Sequence, residues 1–165
     1  MSCKLFGNVL AVAAALCIGV MALSPGSAAG EERPFRATLT GNAHLSPTDD
    51  PFVLRNDETG TGQATYLGRF TWADVEYADF GAIPGGVAVV ASFTMTAANG
   101  DQLTGTFMTV GTFDADGNLV IHGHFEFDGG TGRFADATGS GDIDAIAFLS
   151  PGLPFQGSLE GSIDF

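Results

Sequence analysis

The sequence has little positive charge and, beyond its first 17 residues, no cysteine. Six basic side chains stand against 19 acidic ones in 165 residues, a formal net charge of −13. A chain this acidic repels phosphate backbones and anionic headgroups, which excludes nucleic acid and electrostatically held membranes as partners. One Trp and two Tyr are too few to build the two aromatic belts of an outer-membrane barrel. Charged residues make up only 15% of the chain and apolar ones 45%, a balance that favours a packed fold over disorder.

Residues 1–29 read as an export signal. Lys4 gives a positive start, Val9 to Leu23 is apolar throughout, and Ser27-Ala28-Ala29 supplies the small residues of a cleavage site. A spanning anchor needs about 20 apolar residues, and here Pro25-Gly26 ends the run too early. Cleavage removes Cys3, Cys17 and Lys4, the only lysine, so the expected domain, residues 30–165, carries five Arg against 19 acids and no disulfide. Apolar burial and backbone hydrogen bonds must hold it together. The expected location is outside the cytoplasm, secreted or periplasmic.

After residue 30 the period is two rather than 3.6. Phe35, Ala37, Leu39 and Gly41 alternate with polar residues, as do Val87 to Met95, Leu103 to Phe113, Leu119 to Phe127 and Phe155 to Phe165. Turn signals separate the runs: Pro84-Gly85-Gly86, Asn99-Gly100, Asp116-Gly117-Asn118, Gly129-Gly130 and Ser150-Pro151-Gly152. Further strands over 62–71, 73–80 and 140–149 bring the total to eight. Glycines recur on the apolar faces beside bulky residues (Gly105 near Phe107, Gly123 near Phe125), the small-and-large alternation that the inner wall of a narrow barrel requires. The predicted fold is all-β, a single eight-stranded antiparallel barrel.

The stretch Phe127-Asp128-Gly129-Gly130-Thr131-Gly132-Arg133-Phe134, continued by Ala137-Thr138-Gly139, resembles the signature loop of the allene oxide cyclase and dirigent barrel superfamily, in particular its bacterial exported members. Ala64-Thr65-Tyr66-Leu67-Gly68-Arg69-Phe70-Thr71 is similar to a second stretch of those proteins. The resemblance spans about residues 35 to 165 and implies a calycin-like barrel with an apolar lumen. Plant members cyclise an unstable fatty-acid epoxide or steer radical coupling, but their catalytic residues do not align here. Read from the residues alone, the loop is a glycine-rich connection with Arg133 pinned to a nearby carboxylate.

The lumen candidates are Tyr66, Phe70, Phe93, Met95, Phe107, Thr109, Phe125 and Phe127, with Arg133 and Phe134 at a mouth. His122, His124 and Glu126 share one strand face, with His44 a remote fourth, but that face is opposite the core and gives a metal no shelter. Asp114 to Asn118 lacks the spacing of a calcium loop and reads as a hairpin turn. The pairs Asp74/Glu76 and Asp142/Asp144 are expected on solvent faces, opposite Val75/Tyr77 and Ile143/Ala145, because unpaired carboxylates are rarely buried. On that reading the inner wall is nearly free of ionisable groups, and its polar members are the hydroxyls of Tyr66, Tyr77 and Thr109.

The expected function is that of an exported barrel binding a small hydrophobic molecule, without a cofactor and without stable membrane insertion; homo-oligomerisation is left open. The alternatives are a cofactor-free cyclase or isomerase steering an apolar substrate, a filled structural barrel, and an outer-membrane barrel whose apolar residues face lipid. An internal cavity of about 300 Å³ or more distinguishes a binding barrel from a filled one.

Overall fold

The computed structural model describes residues 31–165; the expected export signal, residues 1–29, lies outside them. Eight strands follow one another: β1 (Arg33–Pro47), β2 (Val53–Ala64), β3 (Gly68–Asp79), β4 (Gly86–Ala97), β5 (Gln102–Phe113), β6 (Leu119–Gly130), β7 (Thr138–Ala147) and β8 (Pro154–Asp164). Each pairs antiparallel with the next, and β8 closes on β1 to complete a barrel. Closure leaves no free sheet edge, so a chain with no disulfide in its folded part satisfies its backbone internally.

The alternation sets the faces. Phe93 and Met95 of β4, Phe107 and Thr109 of β5, Phe125 and Phe127 of β6, and Leu159 and Ile163 of β8 all point inward and are buried. Phe35 packs edge-on against Phe127, with ring centroids 4.9 Å apart, and Trp72 stacks on Phe93 at 4.8 Å. Burying each of these side chains contributes about 1.5–3 kcal/mol. The inward glycines make room for both the paired strand and the rings: a Cβ on Gly105 would lie 2.3 Å from the Glu126 carbonyl oxygen and 2.6 Å from Phe93 Cζ, and one on Gly41 2.2 Å from the Thr59 carbonyl oxygen and 2.7 Å from Phe155 Cε1. With Leu159 and Ile163 inside, β8 does not offer lipid the apolar outer face that a membrane barrel needs.

One end of the barrel is plugged. There a single 3-10 turn, Gly132–Phe134, buries Phe134 completely beneath Phe165, with ring centroids 5.0 Å apart. Arg133 donates to the Tyr66 carbonyl, lies 3.7 Å from Asp101 Oδ2 and covers the Phe134 ring. The other end, ringed by Leu45, Phe80, Phe113 and Leu153, stays partly open.

The strand count agrees with the sequence, but two placements do not. Residues 65–67 form a turn in the middle of the expected strand 62–71, and β2 runs earlier, from Val53 to Ala64. The inner positions of β2 include Asn56 and Glu58, so no apolar alternation marked it. Gly129-Gly130 is likewise not a turn but the end of β6, next to a register shift at Thr104/Gly105.

Candidate functional site

Phe70 and Trp72 of β3 are inward, and period two carries that face on to Asp74 and Glu76. Both acids are therefore buried, at 6% and 9% exposure, while Tyr77 is outward and 44% exposed. This reverses the expected orientation of the Asp74/Glu76 pair and the expectation of an uncharged inner wall. The expected break after residue 71 hid the continuity of the strand. Tyr66 is also not a lumen residue: it sits in the turn between β2 and β3 with φ at +65° and is 36% exposed.

Across the β2–β3 ladder, Asn56 stands opposite Glu76 and Glu58 opposite Asp74. The four form a compact inward quartet. Asn56 Nδ2 donates to Glu58 Oε1 at 2.8 Å and to Glu76 Oε2 at 2.7 Å, while Trp72 Nε1 donates to Asp74 Oδ2 at 2.9 Å. One carboxylate oxygen from each acid falls within 4.8 Å of the others. Asn56 Oδ1 and Asp74 Oδ1 are buried without a hydrogen-bond partner, as is Thr109 Oγ1 on the far wall.

Burial drives the protonation of this cluster. It raises Glu58 far above the ordinary carboxylate range, and the neighbouring Glu76 and Asp74 charges raise it further. Asp74 is raised by burial and then by Glu76. Glu76 is raised by burial against the opposing hydrogen bond from Asn56. Three carboxyls brought together out of water hold protons that they would release in solvent.

Two neighbouring features of the lumen meet at the quartet and share Glu58, Glu76, Ile121 and Ala147 in their linings. A deep void of about 30 Å³ is bordered by Glu58, Asp74 and Glu76 on one side and by Phe107, Ile121, Ile143 and Phe155 on the other. Above it a cup of about 230 Å³ opens toward the unplugged end. Its floor includes Asn56, Glu58 and Glu76, and its walls are apolar, among them Val89, Leu119, Ile121 and Phe148. The lumen is thus neither a cavity of about 300 Å³, the lower end for drug-sized ligands, nor a filled core. Hollows of about 550 and 670 Å³ on the outer wall are wide and shallow, and Thr40, Thr61 and Gln156 line both.

The other sequence candidates lie apart from the cup. Phe70, Phe93, Met95, Phe125 and Phe127 are core residues that do not border it, whereas Phe107 borders the deep void. Arg133 and Phe134 belong to the plug. His122 and His124 point outward, and their side chains pair with Asp144 and Asp142 across β7. Glu126 shares that outer face. Asn56 and Glu58 were not singled out from sequence; the signal that could have found them was the pairing of a polar stretch with the inner face of β3. Comparison with known protein families, curated proteins and solved structures finds no match for this chain.

Proposed function

We propose that the protein binds a small, mostly apolar molecule in the open end of its barrel. The observation that carries this reading is the cup itself: apolar walls above a floor of a few converging polar groups, the composition of a small-molecule site. Its modest volume favours a ligand smaller than a drug. The export signal expected at residues 1–29 and the resemblance to bacterial barrels of the allene oxide cyclase and dirigent type support such a role outside the cytoplasm. Trp72, the only tryptophan in the sequence, is bonded to Asp74 beside the void, so its emission reports on occupancy. Saturable shifts in that emission with short-chain aliphatic alcohols, abolished by Ala147→Phe at the cup wall, are the expected result. Shifts that never saturate, or that survive the filled cup, overturn the reading.

A second reading, isomerisation or cyclisation of the bound molecule, is favoured by Glu76. It borders the cup, and burial pushes its pKa up to about 7, near the operating pH, where a general acid or base works best. Turnover of a bound substrate that Glu76→Gln abolishes while leaving binding intact is the result that separates this reading from simple binding.

A further inference from the structure

Three carboxyls converge on the deep void, and no Arg, Lys or His borders either the void or the cup. Buried acids are ordinarily paired with a cation. Here side chains supply only two N–H donor groups, shared out so that each acid keeps one oxygen without a side-chain donor. The Asn56 amide takes Glu58 Oε1 and Glu76 Oε2, and the Trp72 indole takes Asp74 Oδ2. Glu58 Oε2, Glu76 Oε1 and Asp74 Oδ1 accept no side-chain donor among the described residues. Asn56 Oδ1, on a residue only 5% exposed, is a further acceptor with no partner.

We propose that the site takes a lipophilic primary amine, its ammonium group seated among Glu58, Asp74 and Glu76 and its hydrocarbon tail running up the apolar cup. This inference rests on reading the cup as a ligand site and adds the class of ligand. An ammonium group has three donors in a compact head, which matches three free carboxylate oxygens around a void with room for one small group. The remaining lining suits the tail and does not suit an inorganic ion. A hard divalent cation seeks about six to eight oxygens; of the seven on Asn56, Glu58, Asp74 and Glu76, three already accept N–H donors and four remain, while the facing wall is hydrocarbon. An alcohol would satisfy fewer of the free acceptors, and a carboxylate would add a fourth acid. In the empty site protons occupy the place of the missing cation; one ammonium group balances one carboxylate, so binding of the amine releases one proton and leaves the other carboxyls protonated.

The test compares n-hexylamine, n-hexanol and n-hexanoate at neutral pH on the purified protein, with calcium chloride as a fourth arm. Trp72 emission and titration calorimetry are the readouts. The expected result is amine binding at least about tenfold tighter than alcohol binding, the worth of charge-assisted hydrogen bonds over neutral ones, with hexanoate weakest. Glu58→Gln is expected to cost the amine about tenfold and to leave the alcohol unchanged; if that variant does not fold, the ranking on the unaltered protein decides. Equal affinity for amine and alcohol overturns the inference and leaves the apolar cup standing. Failure of all three organic compounds to bind overturns the cup as well. Calcium that saturates the site and excludes n-hexylamine overturns the amine in favour of an inorganic cation.

Discussion

Asn56 and Glu76 stand opposite each other on β2 and β3, and the Asn56 amide donates to the Glu76 carboxylate at 2.7 Å while also holding Glu58 at 2.8 Å. One side chain thereby bridges two buried acids 18 residues apart in sequence, beside cavities that no Arg, Lys or His borders among the described residues.

Removing that bridge leaves both acids short of a donor. Asn56→Ala is expected to destabilise the barrel by about 1–3 kcal/mol, the cost of unsatisfied buried polar groups, measured by urea denaturation. A loss no larger than that of an exposed substitution would mean that water replaces the amide without cost.

The stability of the protein should fall as pH rises through neutrality. Glu58, Asp74 and Glu76 have folded values raised above their ordinary 4.5, 3.8 and 4.5, so the folded state holds protons that the unfolded chain releases. Their contribution is full below about pH 4 and is lost as pH climbs through about 7 for Glu76 and about 9 for Glu58. Asp57 and Asp114, held low by Arg55 and Asn118, act in the opposite sense in acid. Thermal melts are expected to give a higher Tm near pH 5 than near pH 9, and the Glu58→Gln/Glu76→Gln double variant should flatten that slope. A Tm that climbs between those two pH values contradicts the protonated cluster.

The inward glycines are spacers for rings. Gly105→Ala places a methyl group 2.3 Å from the Glu126 carbonyl oxygen of the paired strand and 2.6 Å from Phe93 Cζ, and is expected to cost about 1–3 kcal/mol through overpacking. A companion Phe93→Leu change should recover part of the loss, and a double-mutant cycle with no coupling would argue against the steric account.

The outer His–Asp ladder contributes little. His122 and His124 have side chains 68% and 81% exposed, so replacing both with Ala should change stability by less than about 1 kcal/mol. Phe125→Ala, at a fully buried position of the same strand, should cost about 3–5 kcal/mol. Similar losses for the two variants would show that the outer face of β6 does more than meet solvent.

Much of the barrel was legible because β4, β5, β6 and β8 write their faces in hydrophobicity: Phe93, Phe107, Phe125 and Leu159 alternate with Thr, His and Glu. The site was not. Asp74 and Glu76 were expected in solvent because a carboxylate without a visible partner belongs there, and their partners, Asn56 and Glu58, lie on a strand with no apolar stripe to reveal it.

By itself the sequence determined that this is a β protein of eight strands with an aromatic interior, since period-two alternation and glycine beside phenylalanine are local properties of the chain. Only the tertiary structure decided that three acids face inward. The inward position of β3's acids follows from its continuity with Phe70 and Trp72, and whether a buried carboxyl is tolerated depends on the strand that pairs with it. β2 supplies the Asn56 amide across that ladder, and the plugged far end leaves the resulting cluster at the foot of an open apolar cup.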